Sequence, residues 1–472
     1  MRHTLVKAVA AGGLAAVLLL PLWFNPYANV PFEPAKVRLF WVITALMAFA
    51  WLAWRLSGKR ELPSLTAGDG GSPRPSRLLI WAVLAYAGVV LLATVASVNP
   101  ALSLWGTAEN QRGAITLVAG VLFFLLLTDV LRRPDQVIRL VKVLILASVP
   151  VVVYGLVQAL GLDPLLWISD SVSPVHATLG RSNYLGAYLA IVASWTLALV
   201  VMGSRYGEDG HATSGIAAAD ETDRSTTSDG MATAARRFLI ILLTQVACLA
   251  LTLARGAWLG LTVGCVGLLA LLAIRWRERR LWQAAAVAWI AGCTVLAAMT
   301  FVRLPSGSEQ AQAAGMAYPQ LRAESALRRG VIWQHALTLV PARWLLGYGP
   351  ATFQQVFSDR YPPGTLYQGT DIVVDDPHNL VLERLLATGV VGLAAFAVVV
   401  IAFCKTAIDI WRRRSGRWID VLAAASAASI AAYLVQALFN PDVVVLIVLF
   451  WLALAIMVAL DRVSLSVGHQ VS

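Results

Sequence analysis

In the stretch DDPHNLVLER, residues 375–384, two aspartates, a histidine, a glutamate and an arginine crowd the start of a long apolar run. An imidazole titrates near neutrality, so His378 is a candidate general base. Asp375 and Asp376 would equally suit the positive end of a helix that begins there. Together with His378 they could also be read as metal ligands, but three ligands this close in sequence rarely wrap one ion. No HxH or HxxxH spacing supports a metal either, and none is expected. Three arginines offer the complementary charge. Arg255 interrupts the apolar sequence LTLARGAWLGL (251–261), Arg329 lies in LRRGVIWQ (327–334), and Arg181 lies in HATLGRSNYLGAYLA (176–190). Each also has a plain structural reading: a snorkelling arginine at an interface for Arg255, a solvated helix face for Arg329, a loop charge for Arg181. Asn183 could cap a helix, and Asp376 and Asn379 flank the histidine.

The elements that hold these residues are apolar. Of 472 residues, 58% are hydrophobic and only 13% charged, against about 25% charged in a soluble domain. Apolar runs near the ~20 residues needed to cross hydrocarbon fall at about 8–24, 37–56, 78–96, 114–131, 140–159, 184–203, 238–253, 257–274, 281–301, 382–403, 419–438 and 443–460. They lack the alternation of barrel strands, which leaves helices. The expected fold is all-α: a polytopic membrane bundle of about 12 transmembrane helices with a partly helical outer-face cap. The first run follows Arg2, His3 and Lys7 as a signal peptide would, yet LPLWFNPYANV offers no small-x-small cleavage site, so it is read as an uncleaved span.

With the N-terminus cytoplasmic, the inner segments hold 25 of the 37 basic residues. The short outer loops then keep only Lys36, Arg38, Arg112, Arg181 and Arg255. Both termini are therefore expected inside. The net charge of +11 reflects this bias and not nucleic-acid binding. The blocks RWRERR (275–280) and RRR (412–414) read as anchors beside anionic lipid.

Five segments follow: N-terminal spans over 1–203, a disordered inner linker over 204–236 that includes His211, spans with the Arg255 hairpin over 237–301, an outer cap over 302–381, and C-terminal spans over 382–472. The inner loop 57–77 has the linker's composition. Within the cap, ESALRRGVIWQHALTLV (324–340) spaces Leu327, Val331, Trp333, Leu337 and Val340 as a helix would, with Ser325 as a cap. The turn LLGYGP and the aromatic segment ATFQQVF follow it. The cysteines 248, 265, 293 and 404 stand singly in apolar runs, which suggests packing and no disulfide framework. An ion-coupled transporter usually buries ionisable groups at mid-membrane depth. Here they gather at helix ends, which favours chemistry at the outer interface.

Four blocks in order resemble the signature of the O-antigen ligase and polymerase superfamily: LTLARGAWLGL, Arg329-Gly-Val-Ile-Trp333, LLGYGPATF (345–353) and HNLVLERLLATGVVGL (378–393). The resemblance covers roughly 178–400. Arg181-Ser182-Asn183 stands where relatives commonly read Asn-Pro-Asn, and Ala254 where a serine is more usual. The resemblance implies a bacterial plasma-membrane glycosyltransferase whose partners are a polyprenyl-diphosphate-linked glycan donor, a lipid-core, glycan or protein hydroxyl acceptor, and membrane lipid. O-antigen ligase, polymerase and protein O-oligosaccharyltransferase activities all fall within it; a lipid-linked-glycan transporter is the more remote alternative. It implies no cofactor, with Arg255 and Arg329 on the diphosphate and His378 as base. Arg181, Asn183, Asn379 and Asp376 are the further candidate substrate contacts, and Asp375 and Glu383 could orient His378 or bind sugar.

Overall fold

The computed structural model describes residues 2–57, 75–165, 173, 175–206, 223–301, 318–361 and 374–471. Among the described residues the fold is all-helical. The first half holds α1 (Arg2–Leu19), α2 (Glu33–Leu56), α3 (Pro75–Val95), the short α4 (Pro100–Trp105), α5 (Ala114–Val130), α6 (Pro134–Ala159) and α7 (Ser182–Tyr206). Then come α8 (Asp223–Leu251), α9 (Arg255–Trp276), α10 (Arg279–Phe301), α11 (Tyr318–Leu339) and α12 (Phe353–Arg360). The chain closes with α13 (Leu380–Arg413), α14 (Arg417–Ala437) and α15 (Val444–Val471).

Each of the twelve apolar runs becomes one helix. Ten are long and apolar enough to cross a membrane, and Thr4–Leu19 and Ala114–Val130 are shorter apolar helices. The chain is a multi-pass membrane protein. Its centre is α15, whose most apolar window is 94% buried, with α7 at 83% and α14 at 72%; α8 and α10 are only 17% buried and so form the periphery. Small residues set the close packing. Gly260 and Gly264 on α9 approach α14 at Ala432, a small-xxx-small contact that replaces the hydrophobic drive missing in lipid.

The bundle has two distinct polar ends. The starts of α2 and α15 meet at one end, where Glu33 Oε1 accepts the Val444 amide at 2.6 Å. The Arg112 loop and the segment before α13 meet there too, through an ion pair of 3.1 Å between Arg112 and Asp376. Ion pairs between Arg55 and Asp129 (2.9 Å), Arg275 and Asp420 (2.7 Å), and Arg413 and Asp461 (2.6 Å) mark the opposite end. Arg275 and Arg413 thus neutralise buried carboxylates, a role beyond the lipid anchoring read from the sequence, because an unpaired buried carboxylate is far costlier. Lys36, counted as an outer-loop charge, lies in the first turn of α2 and is fully buried, its Nζ donating to the carbonyls of Trp23 (2.5 Å) and Thr178 (2.7 Å).

Other expectations shift at their edges. Helices α7 and α8 run into the segment 204–236, up to Tyr206 and from Asp223, since Ala- and Arg-rich sequence such as TAARR extends a span at little cost. Residues 207–222 with His211, 58–74 of the inner loop, and 302–317 and 362–373 of the cap lie outside the described residues. Cys248 is buried as expected, whereas Cys293 and Cys404 are exposed on the bundle surface.

The cap consists of α11, a 3₁₀ turn at Val340–Arg343, and α12. Ser325 falls inside α11, not at its start. The inward face is Ile332, Ala336 and Leu339, packed with Phe357, Val374 and Leu386, and Leu337 is 52% exposed. The stripe is rotated because a second partner, α12, covers the side on which Ile332 and Ala336 lie.

A break in α13 locks the cap to the bundle. Gly389 adopts φ 65° and ψ −170° inside the helix, a region essentially confined to glycine. The freed carbonyls of Leu386 and Ala387 accept the amides of Tyr348 (2.7 Å) and Gly349 (3.0 Å). The freed amides of Val390 and Val391 donate to Trp344 (2.8 Å) and Leu345 (3.3 Å). LLGYGP and ATGVVGL are therefore two halves of one junction, which satisfies backbone that lipid could not. Gly389→Ala is expected to cost about 1–3 kcal/mol from its dihedrals alone, and more because the new Cβ collides with the Leu345 carbonyl. The measurement is thermal unfolding in detergent. Gly88→Ala, where a Cβ meets no atom within 4 Å, is the control and should be neutral or stabilising by up to ~1 kcal/mol.

Candidate functional site

The cationic side of the site starts at the hairpin of α8 and α9. Leu253 takes φ 57° in the turn, so α9 begins at Arg255 and presents it at the polar end of the bundle. Gly256 allows close approach of Phe439 and Asn440, and Gly186 allows close approach of Thr252, Ala254 and Ala257. The start of α7, with Arg181 and Asn183, is thereby packed against the turn that carries Arg255. Arg181 is exposed, its guanidinium carbon 5.9 Å from the Tyr184 ring centre. Its carbonyl accepts the Tyr184 and Leu185 amides at 3.0 and 3.1 Å. Asn183 thus lies within the first turn and does not cap the helix.

Arg329 arrives from the cap. It is one turn before Trp333 on the same face of α11, and the Trp333 indole donates to the Pro377 carbonyl at 2.8 Å. That bond sets Arg329 beside the histidine loop. Burial lowers the Arg329 pKa from the ordinary arginine value, and the positive charge of Arg255 lowers it further. Like charges near one another disfavour each other's ionised form, and an anion between them would relieve that repulsion.

His378 is held on a clamped turn. Its φ is 52°, its amide donates to Asp376 Oδ1 at 2.6 Å, and Asn379 caps α13 by accepting the Val381 and Leu382 amides at 3.0 and 3.2 Å. His378 Nδ1 is buried, forms no hydrogen bond and lies 3.9 Å from Asp376 Oδ1. Burial pushes the imidazole below its usual pKa; Asp376 and Asp375 oppose this, and Arg329 and Arg181 add to it. The ring is therefore neutral, and able to accept a proton, at neutral pH. The structure brings His378, Arg329, Arg255 and Arg181 into one electrostatic neighbourhood. Asn379 spends its Oδ1 on the cap. Asp376, read from the sequence as a substrate contact, is 3% exposed and gives its oxygens to Arg112 and the His378 amide.

The sequence reading missed the layer beneath. Arg112 Nη1 bridges Asp376 Oδ2 (3.1 Å) and the Asp442 carbonyl (2.6 Å). Burial works against this charge, but Asp376 and then Glu383 more than offset it and raise the Arg112 pKa. Asp442 Oδ2 accepts from the Tyr433 hydroxyl at 2.6 Å and lies 3.5 Å from Arg384. Burial raises the Asp442 pKa, with Arg384 and Tyr433 pulling against it. The available signal was ionisable residues within a turn of apolar runs, where an unpaired charge is expensive; Arg112 and Lys36 were instead counted as loop charges. Among the described residues, no group of three or more His, Cys, Asp or Glu is arranged to hold a metal ion.

These features define a membrane-embedded helical protein with a cationic site and a neutral histidine under a cap. Residues 239–397, about a third of the chain, match the family model described as O-antigen ligase, so this segment is similar to the O-antigen ligase family. The matched segment holds Arg255, Arg329, Asp376, His378 and Asn379, while Arg112, Arg181 and Asn183 precede it. No curated protein matches the chain.

Proposed function

We propose that the protein transfers a glycan from a polyprenyl diphosphate carrier to an acceptor hydroxyl at the outer face of the bacterial plasma membrane, as an O-antigen ligase-like glycosyltransferase. The reading is supported by a chain of neighbours from three separate elements: Arg181 and Arg329 act on His378, Arg255 acts on Arg329, and the start of the Arg181 helix packs on the turn before Arg255. The arginines suit a diphosphate because the guanidinium is a permanent charge with a planar fork of donors. In the proposed step the acceptor oxygen attacks the anomeric carbon from the face opposite the phosphate, inverting it. The carbon–oxygen bond to phosphate breaks, the diphosphate leaves with the electron pair, and His378 takes the hydroxyl proton. Nδ1 faces Asp376, which leaves Nε2 as the accepting atom, and the arginines stabilise the charge that grows on the leaving group. Positive-inside bias, with both termini read as cytoplasmic, supports placing this end outside. Polymerase and protein O-oligosaccharyltransferase activities share this chemistry and differ in the acceptor.

The test is transfer by the purified protein in nanodiscs, with lipid-linked glycan and envelope acceptors extracted from the native host. Release of polyprenyl diphosphate is expected only when acceptor is present, and no release under any acceptor would remove the reading. Because guanidiniums supply the positive charge, turnover is expected to survive EDTA. Loss on chelation, restored by Mg²⁺ or Mn²⁺, would return Asp375 and Asp376 to the status of metal ligands.

A further inference from the structure

The side of the histidine loop away from the arginines has the opposite character. A cleft lies there between cap and bundle, and Arg181, Arg255 and Arg329 do not line it. Its charged lining is Asp375, Asp376 and Glu383 against Arg112 alone, and Arg112 is spent on Asp376. Thr107, Asn110, Tyr348 and Phe353 add amide, hydroxyl and aromatic surface. Arg112 and Glu383 also line a second chamber, further into the bundle, with Tyr86, Phe396 and Trp451. There the Tyr86 hydroxyl, on a residue only 2% exposed, has no hydrogen-bond partner, and neither does Arg384 Nε or Asp442 Oδ1. Buried polar atoms without partners are costly, so this chamber is built for something that brings hydrogen bonds.

We infer that the cleft and its inner chamber form the acceptor subsite, and that they take the saccharide end of an acceptor that carries no phosphate or carboxylate beside the reacting hydroxyl. This rests on the transfer reaction proposed above. An anionic acceptor would meet a lining of formal charge −2 with no free cation, whereas sugar hydroxyls both donate to carboxylates and accept from Tyr86 and Arg384, and ring faces pack on aromatic side chains. The site is then split by charge at His378, with the diphosphate donor on the arginine side and the uncharged sugar acceptor on the acidic side. A peptide hydroxyl is disfavoured because the unpartnered atoms lie in a recess, not along an open groove.

Tyr86→Phe and Asp375→Asn test it. The first removes a hydroxyl that bonds nothing in the protein, and the second keeps its side chain's shape. Each is expected to raise the acceptor concentration for half-maximal transfer about 3- to 10-fold, with donor KM at the wild-type value and thermal stability not lowered. A merely structural role would lower stability instead. In the host-extract assay the product should elute as an uncharged glycan on anion exchange and resist protease. Product in a phosphate-bearing or protease-sensitive fraction, or unchanged acceptor KM in both variants, overturns the inference while leaving the transfer reading standing. Absence of transfer to every fraction removes the transfer reading itself. In that case a thermal shift by the host's neutral oligosaccharide pool, lost in Tyr86→Phe, still reports the subsite, and no shift removes it too.

Discussion

His378→Ala is expected to lower turnover by about 10²–10⁴-fold, the range for loss of a general base, while donor binding stays near wild type. The imidazole is separated in function from the cations: its neighbours Asp376 and Asp375 partly offset the burial that keeps it neutral, and a neutral ring contributes little to holding a diphosphate. The measurement is the single-turnover rate beside donor affinity in the same preparation. The pH profile provides a second readout. A base works only when unprotonated, and burial with Arg329 and Arg181 lowers the His378 pKa. Activity should therefore rise with pH through a midpoint below the usual histidine value of about 6.5 and be level at neutrality. Removing the positive charge in Arg329→Gln should move that midpoint upward. Unimpaired transfer by His378→Ala would leave the chain without its proposed base.

The bundle was legible because each span announces itself by length and apolarity, and the twelve runs map onto twelve helices. The hairpin turn at Arg255 was legible for the same reason: an arginine in so long an apolar stretch is tolerable only at an interface. What the sequence hid depends on contacts between distant segments. Arg112 and Asp376 are 264 positions apart, and nothing local to either distinguishes a loop charge from half of a buried ion pair. The same holds for Gly389. A glycine in a span usually marks close packing, and only the partner turn Trp344–Gly349 shows that the helix is broken there. The face of α11 was misread at Leu337 because helical spacing gives the period of a stripe but not which neighbour will cover it.

Arg255→Ala and Arg329→Ala are each expected to weaken donor binding by roughly 10- to 100-fold, since a hydrogen bond to a charged group contributes about 1.5–3 kcal/mol and 1.4 kcal/mol is tenfold. Turnover should fall as well, by up to the 10²–10³ seen for loss of one charge-stabilising donor, because charge on the leaving diphosphate grows in the transition state. The stability of the donor-free protein should move the other way or not at all. Arg329 sits half-buried in the field of Arg255, and both burial and that field disfavour its charge, so deleting it relieves repulsion. Lysine is the discriminating substitution. At a diphosphate clamp Arg255→Lys keeps the charge but loses the planar fork, and only partial rescue is expected. At a simple membrane anchor the ammonium would reach the interface equally well. Donor affinity by titration of lipid-linked glycan, with melting temperature in its absence, separates the cases. Wild-type donor binding in Arg255→Lys and Arg255→Ala would take that residue out of the site. A fall in donor-free stability in Arg329→Ala, without loss of donor binding, would make Arg329 part of the cap's packing and leave the diphosphate to be held elsewhere.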